Sequence, residues 1–483
     1  MLLSEIVAHL GSGIVGTHKL FDSEVTGVSE HSKDVRRGFI FCALRGKKEN
    51  GESYIKEALA LGAVCVLVGE NAVLDASQSA IISKNPRKIM AEISKMLYGD
   101  CLCEMKIIGI TGTKGKSTVC EYLREALLSV GEKCVSIGTL GIRGPIRSET
   151  KINNTTPPST VIYRTLRDAY EEGIRTAIIE VSSAALTDYR VYGIRFDTVI
   201  YTGFSYDHIG KGEHSNMREY FSSKRRLFTD YGASVAIVYD DGEPSRKISY
   251  GIDEIIRVGE NKYDEAYISD ITSLPTGSAY RFSGRVVRIS LGGRFNAINS
   301  SLALCAAMRL TGLAVDSFLP SLLRTRVSGR CEHYTLRGVN LLIDYAHNGE
   351  SLREILTYVR RACFGRIIAV FGSVGERSQS RRRELAIVAE ELCDLSVITS
   401  DNPGEEDAYA ICRQIADCFT DMRLAKIITD REEAIRYALS VARAGDYVLL
   451  LGKGHEAYQL VGRKKIPFSE REIILSLGAV PNG

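Results

Sequence analysis

Residues 106–118 read KIIGITGTKGKST. A short aliphatic run ends in glycine, crosses a glycine-rich turn and continues as STVCEYLREALLSV (117–130), a helix-forming segment. In a strand–turn–helix of this kind the glycines let backbone N–H groups approach a polyphosphate, and the helix N-terminus adds positive potential. Lys116 would then reach the β- and γ-phosphates of a nucleotide, with Ser117 or Thr118 holding magnesium. The spacing is short: the general phosphate loop has four residues between its first glycine and the Gly-Lys pair, whereas two separate Gly112 from Gly115. An ordinary glycine-rich turn is the competing reading, but Gly-Lys-Ser between a strand and a helix is hard to produce by packing alone.

Outward from the loop, short apolar strands alternate with helices. Before it, GFIFCAL (38–44) and AVCVLVG (63–69) flank a helix at 54–63. After it come CVSIGTL, TAIIEVS, DTVIYTGF and SVAIVYD, with helical stretches such as VIYRTLRDAYEEG (161–173) between them. Near residue 328 the rhythm restarts with LLIDYA, RIIAVFGS, LSVITS, KIITD and DYVLLLG. Such alternation predicts an α/β protein whose parallel sheets are covered on both faces. Three domains are expected, at 1–104, 105–327 and 328–483. The central one has a P-loop ATPase-like parallel sheet and the last a Rossmann-like doubly wound sheet, with ligands at the carboxyl ends of the strands.

A chain of 483 residues exceeds one ordinary core, and 45% hydrophobic with 25% charged residues is the composition of a soluble enzyme. A net charge of +3 argues against a general nucleic-acid binder. The basic runs SSKRRLF (222–228), SRRRE (380–384) and GRKKI (462–466) read first as solvated helix faces. Twelve cysteines without CxxC spacing fit neither a zinc knuckle nor a disulfide framework, and suit a reduced cytoplasmic compartment. The segment MLLSEIVAHLGSG lacks the basic start of a signal peptide, and no run approaches the roughly 20 apolar residues of a membrane span.

The loop TGTKGKST belongs to a longer series: NNTTP (153–157), EVSSAAL (180–186), RVYGIRFD (190–197), FSYDHIG (204–210), SKRRL (223–227), GRFNAINS (293–300), GRCE (329–332), IDYAHN (343–348), GSVGER (372–377), SDNPGEED (400–407) and GKGHEAYQ (452–459). In these motifs and their order the chain resembles the Mur ligases over essentially its whole length. It is most similar to the MurE type, which adds the third residue to UDP-N-acetylmuramoyl-L-alanyl-D-glutamate in peptidoglycan precursor synthesis. The resemblance implies an ATP- and Mg2+-dependent, ADP-forming amide ligase working through an acyl phosphate. It is expected in the cytoplasm as a monomer, with no nucleic-acid partner and no membrane insertion.

The resemblance also distributes roles. Gly112, Thr113, Lys114, Gly115, Lys116, Ser117 and Thr118 would hold the nucleotide phosphates. Glu180, which ends TAIIEVS, and His208 would bind magnesium with Ser117. A lone strand-end glutamate is otherwise usually a solvated terminus, and a lone histidine a surface one. Lys224, which the residues alone give as one cation among several, would be carbamylated to N6-carboxylysine and become a magnesium ligand, a change that requires the neutral amine. Asn296 and Asn299 would read the adenine, with helix capping as competitor. Arg330 and Asp344 would reach the nucleotide across a cleft, beside His347, implying domain closure. Ser32 of the N-terminal, UDP-binding domain and Thr155, Thr156, Ser182 and Arg190 would contact the UDP-muramoyl dipeptide. Three departures stand out: His31-Ser32-Lys33 replaces the usual Asp-Ser-Arg, Asp188 a glutamine, and Ala184 a histidine.

The turn at 400–407 bears on the amino acid added. Arg377, Gly452 and Glu456 match residues that hold the common amino-acid portion, and Asp401 and Asn402 are candidates for contact. Members adding meso-diaminopimelate carry Asp-Asn-Pro-Arg, whose arginine can clamp the distal carboxylate. Position 404 is glycine, and Glu405, Glu406 and Asp407 follow. L-lysine is therefore the expected substrate, with diaminopimelate or another diamino acid as the alternative. Each of the three acids taken singly reads first as part of the favoured first turn of a helix. A folylpolyglutamate synthetase-like ligase and a non-catalytic ATP-binding subunit of a cell-wall complex are the other readings.

Overall fold

The computed structural model describes residues 1–46, 49–146, 154–206, 214–274, 276–362, 364–375 and 379–482. The phosphate-loop strand, Lys106–Thr111, is central in its sheet because its aliphatic side chains are buried on both faces. It pairs in parallel with Thr198–Tyr201 on one side and Thr176–Glu180 on the other. Val235–Tyr239 continues the parallel arrangement beyond Thr198–Tyr201, and Cys134–Gly138 beyond Thr176–Glu180. Gly141–Arg143 then turns back antiparallel as a hairpin.

These strands belong to one of two compact units, formed by Met1–Cys120 and Leu127–Arg257. The same unit holds a five-stranded sheet in the order Gly16–His18, Ala80–Ser83, Cys65–Gly69, Phe39–Cys42, Gly27–Ser29. Four of its strands are parallel and the first is antiparallel. Along Cys65–Gly69 the pleat sends Cys65 and Leu67 into one apolar cluster and Val66 and Val68 into another, so both faces are covered. Helix Pro86–Tyr98 closes one face, started by Pro86 and by the Asn85 side chain accepting from Lys88 N.

The second unit comprises Glu121–Ala126 and Val258–Gly483. Its first part is an antiparallel meander, Ala266–Leu274, Gly277–Phe282 and Arg285–Ile289, followed by helix Arg294–Thr311. Its second part is a seven-stranded sheet in the order Ala425–Ile427, Leu395–Ile398, Ile367–Phe371, Tyr447–Leu451, Val339–Asp344, Glu332–Leu336, Val480–Pro481. The first five strands are parallel, and Glu332–Leu336 pairs antiparallel with both of its neighbours, Val339–Asp344 and Val480–Pro481. Leu341, Ile343, Ile368, Val370, Val448 and Leu450 fill one face, and Leu342, Ala369, Phe371 and Leu449 are buried on the other. The expected mixed α/β architecture with parallel sheets is present. The meander, the strands Gly16–His18, Gly141–Arg143 and Glu332–Leu336, and the hairpin Tyr458–Val461/Lys464–Pro467 are antiparallel additions to it. Among the described residues no single helix is long and apolar enough to cross a membrane, and every described cysteine is a free thiol.

Candidate active site

In the first unit the turn after Thr111 is shaped by two glycines. Gly112 has φ +149°, and a Cβ there would fall 2.1 Å from Thr202 Oγ1. Gly115 is left-handed at φ +85° and opens helix Lys116–Ser129 without a side-chain cap, the arrangement that offers helix N–H groups to an anion. Thr113 N donates to Gly203 O, and Thr113 Oγ1 accepts from Ser205 N at 3.1 Å. Lys116 folds over the loop, its Nζ donating to Gly112 O at 2.9 Å and Thr113 O at 3.1 Å. Thr202 Oγ1 donates to Lys114 O, and Thr118 is buried in the first helical turn.

Glu180 ends its strand beside this loop. Ser117 Oγ donates to Glu180 Oε2 at 2.8 Å, and Thr139 donates through N to Oε1 at 3.1 Å and through Oγ1 to Oε2 at 3.2 Å. Burial pushes the Glu180 carboxyl above the ordinary glutamate range, against the opposing pull of Lys116, Ser117 and Thr139. Gly138 makes the room: a Cβ there would stand 2.1 Å from Glu180 Oε1. Lys224, on helix Met217–Thr229, is buried, with Nζ 2.7 Å from Gly112 O and 4.4 Å from the Tyr220 ring centroid. The loop, Ser117, Glu180 and Lys224 are thus brought together. His208 lies outside the described residues. A hydroxyl and a carboxylate converging on a phosphate loop are hard oxygen donors and fit Mg2+, whereas an unmodified Lys224 amine fits a hydrogen-bond donor.

The residues expected at the muramoyl dipeptide form a second cluster. Thr156 Oγ1 donates to Glu180 O at 2.7 Å and accepts from Ser182 N at 3.0 Å. Thr155 Oγ1 lies 3.1 Å from Thr139 Oγ1. Ser182 caps helix Ser183–Thr187. Arg190 donates through Nη1 to Thr156 O at 2.8 Å and through Nη2 to Asp188 at 2.9 Å. Asp188 also lies 4.0 Å from Arg87. Glu30 sits among the same charges, and burial raises its carboxyl despite His31, Arg87 and Arg190 nearby. Ser32, next along that turn, is buried. His214, which the sequence gave no reason to select, is buried with Nε2 2.9 Å from Ser183 Oγ.

In the second unit Asn296 and Asn299 are both buried in helix Arg294–Thr311. Neither caps it: the cap position is Gly293, and Asn296 Nδ2 bonds back to Gly292 O at 2.8 Å. Asn299 Nδ2 is 3.4 Å from Asn296 Oδ1. Asp344 accepts from Cys331 N at 2.9 Å and Ala346 N at 2.8 Å, and burial raises its carboxyl against the pull of Arg330. The Arg330 guanidinium lies 4.4 Å from the Tyr345 ring centroid. His347 Nδ1 is 2.9 Å from Tyr345 O.

Loops from the carboxyl ends of the parallel strands bring Asp401, Asn402, Gly452 and Glu456 together around Lys453. This lysine is fully buried, with Nζ 3.0 Å from Asn402 Oδ1, 2.9 Å from Glu456 Oε2 and 3.5 Å from Asp401 Oδ1. Asn402 Nδ2 also donates to Glu456 Oε2 at 2.9 Å. Gly452, at φ +109°, keeps a Cβ away from Asp401 Oδ2, which it would approach to 2.9 Å. Lys453 stands within GKGHE, and a lysine in a loop carries no sign in the sequence that it will be buried. Arg377 lies outside the described residues.

The three acids after Gly404 are engaged within the chain. Glu405 pairs with Arg463 at 2.7 Å, Glu406 with the buried Arg382 at 2.7 Å, and Asp407 caps helix Ala408–Ala416 by accepting from Ala410 N. Gly404 itself, at φ +61°, forms a parallel bridge to Val461.

Comparison with known proteins places these clusters in a family context. A model of the Mur ligase middle domain matches residues 110–307, and one of the Mur ligase glutamate ligase domain matches residues 329–454. The chain is 35% identical over 459 residues to the UDP-N-acetylmuramoyl-L-alanyl-D-glutamate–2,6-diaminopimelate ligase of Aquifex aeolicus, covering 93% of each. It is 34% identical over 486 residues to the protein of the same name from Geobacter sulfurreducens, again covering 93% of each. A solved structure of a UDP-N-acetylmuramoyl-L-alanyl-D-glutamate–2,6-diaminopimelate ligase matches with a TM-score of 0.64 at 26% identity, covering 94% of both chains. The expectation of L-lysine is not supported, on two grounds. These relatives are named for diaminopimelate, and the acids invoked for a substrate ammonium already hold two arginines and a helix end.

Proposed function

The chain belongs to the Mur ligase family as an ATP-dependent amide ligase of the MurE type, and from that premise we propose that it joins 2,6-diaminopimelate to UDP-N-acetylmuramoyl-L-alanyl-D-glutamate. The observation that carries the catalytic part is the 2.8 Å contact of Ser117 with the buried Glu180 at the head of the phosphate loop. The substrates follow the names of the relatives, which share about a third of their residues with this chain over nearly its full length.

In the first step an oxygen of the substrate carboxylate attacks the γ-phosphorus of ATP. The bond to the bridging oxygen breaks, leaving ADP and an acyl phosphate. The amine of the amino acid then attacks the acyl carbon, inorganic phosphate departs, the nitrogen gives up a proton and the amide remains. Such transfer depends on positioning and charge neutralisation. Lys116, whose Nζ donates to two loop carbonyls, would turn to the phosphates seated on the loop. Mg2+, when bound, would neutralise charge on the β- and γ-phosphates. Ser117 and Glu180 would hold it, with His208 and a carbamylated Lys224. Arg190, beside Thr156 and Ser182, would orient the dipeptide carboxylates. Asn296, Asn299, Arg330 and Asp344 are proposed for the nucleoside side, and Asp401, Asn402, Gly452 and Glu456, with Arg377, for the amino acid. The division at residues 104 and 327 into UDP-binding, ATP-binding and amino-acid-binding parts belongs to the same reading.

A phosphate-release assay tests it, with ATP, Mg2+ and the UDP-muramoyl dipeptide plus diaminopimelate, L-lysine, L-ornithine or meso-lanthionine in turn, each product identified by mass. Turnover with diaminopimelate above the others is expected. Turnover with lysine alone would overturn the amino-acid assignment, and silence with all four would overturn the ligase reading.

A further inference from the structure

Two of the loops that build the Lys453 cluster leave strands that do not pair with each other. Leu395–Ile398 leads to Asp401 and Asn402, and Tyr447–Leu451 leads to Gly452 and Lys453, while Ile367–Phe371 lies between the two strands. The two strand ends are thus joined through the intervening strand, and farther out the loops meet where Gly404 N donates to Leu460 O, Gly462 N to Gly404 O and Gln459 Nε2 to Asp401 O at 3.1 Å. Beneath both sits Arg431, the first residue of helix Arg431–Val441, with a side chain wholly removed from solvent. Its Nη1 donates to Ser400 O at 3.1 Å and its Nη2 to Leu451 O at 2.7 Å. Ser400 directly precedes Asp401, and Leu451 directly precedes Gly452. Two further N–H groups go to Glu470, Nε at 2.9 Å and Nη2 at 2.7 Å, both to Oε1.

A fully buried ion pair is a poor device for stability alone, because desolvation offsets most of its attraction and an apolar replacement of the same volume often does as well. What an apolar side chain cannot do is hold two carbonyls at a set distance. A guanidinium can, since its planar fork presents donors in fixed directions, and a carboxylate on one edge leaves the other edge to the carbonyls. We propose that Arg431, oriented by Glu470, is a positioning residue for the incoming amino acid: it sets the spacing of the loops that carry Asp401–Asn402 and Gly452–Glu456, which rests on the reading of those residues as the amino-acid site. Above the staple, Lys453 bridges the same loops through Asn402 and Glu456. A shift of one strand end would thus be transmitted to the groups that face the amino acid. Misplacement by about 1 Å is enough to cost a large factor in rate.

The test uses the full-length enzyme and three variants, Arg431→Lys, Glu470→Gln and Glu456→Gln, with each substrate varied in turn and thermal unfolding measured in parallel. Arg431→Lys keeps the charge but cannot span both carbonyls and Glu470. The expected result is a KM for the amino acid raised about tenfold or more, with KM for ATP and for the UDP-muramoyl dipeptide changed by less than about twofold. Glu470→Gln should move the same constant in the same direction by less, and it carries the test should Arg431→Lys fail to fold. A loss shared equally by all three substrates, or a lowered unfolding temperature with unaltered KM values, overturns the positioning role. If Glu456→Gln raises the amino-acid KM while neither Arg431→Lys nor Glu470→Gln does, the inference fails and the site stands. If Glu456→Gln leaves that KM unchanged as well, the site assignment fails and takes the inference with it.

Discussion

Asp188 Oδ2 accepts from Arg190 Nη2 at 2.9 Å, so a carboxylate of the chain occupies the guanidinium proposed to meet a carboxylate of the substrate. The pair is partly exposed, with side-chain accessibilities of 19% for Arg190 and 35% for Asp188. An exchange of partners should therefore cost little, on the scale of about 0–1 kcal/mol typical of exposed ion pairs. Replacing the competitor with its neutral isostere, Asp188→Asn, is expected to lower KM for the UDP-muramoyl dipeptide by about two- to fivefold and leave KM for ATP alone. Initial rates with each substrate varied measure this. An unchanged or higher dipeptide KM would mean that Asp188 aligns Arg190 and does not compete for it.

Gly138 offers a way to move Glu180 without altering it. The glycine lies in strand Cys134–Gly138 and is absent from the positive-φ positions, so alanine is compatible with the backbone there. Its Cβ would nonetheless fall 2.1 Å from Glu180 Oε1 and 2.5 Å from Cδ. The Glu180 side chain must leave the position it holds beside Ser117 and Thr139. Gly138→Ala is expected to fold, to lose at least about tenfold in kcat, and to need more Mg2+ for half-maximal rate. Rates across a Mg2+ titration, with circular dichroism as the folding control, check it. A wild-type Mg2+ requirement would remove Glu180 from the proposed metal site.

The raised carboxyl of Glu180 gives a pH dependence with a definite sign. Burial is the dominant cause, so this carboxyl takes up a proton at a higher pH than an exposed glutamate. A metal ligand must be ionised, and protons therefore compete with Mg2+ as the pH falls. Half-saturating Mg2+ should rise on the acid side, and added Mg2+ should move the acid limb of the rate profile to lower pH. Glu180→Gln should abolish that coupling along with most of the activity. Mg2+ titrations of the rate at a series of pH values would show it, and a half-saturating Mg2+ indifferent to pH would contradict it.

What could be read from the sequence was set by how local the causes are. KIIGITGTKGKST contains its own strand, turn and helix start, and Gly112 and Gly115 adopt the positive φ values such a loop demands. The aliphatic runs became parallel strands because burial on both faces leaves no other pattern. The meander at 266–289 carries no such signal because Ala266–Leu274 and Arg285–Ile289 are largely exposed and interrupted by polar residues. Lys453 and Arg431 lack one for a different reason. Each is buried by residues distant in the chain, Asn402 for the one and Glu470 for the other, and nothing beside them announces that partner. The acids at 405–407 misled in the opposite direction. Their charge was visible, but the arginines that occupy two of them, Arg463 and Arg382, were not.

Two histidines of the second unit make its stability depend on pH. Burial is the main reason that His333 and His455 are each lowered from 6.5 to about 4, with Arg326 adding to the effect at His333 and Arg330 at His455. In the unfolded chain both titrate near the ordinary histidine value. Between about 6.5 and about 4 the unfolded state therefore binds more protons than the folded state, and stability is lost as the pH falls through that window. Above it both forms are neutral and the contribution is constant. Urea midpoints should decline from pH 7 toward pH 4.5, and His455→Gln or His333→Gln should flatten the decline by removing one proton-binding group. Because the raised carboxyls of Asp344 and Glu470 contribute the opposite slope, stability lost as the pH rises, the single-histidine variants are the decisive comparison. A slope identical to that of the unaltered chain would show that the replaced histidine is no harder to protonate folded than unfolded.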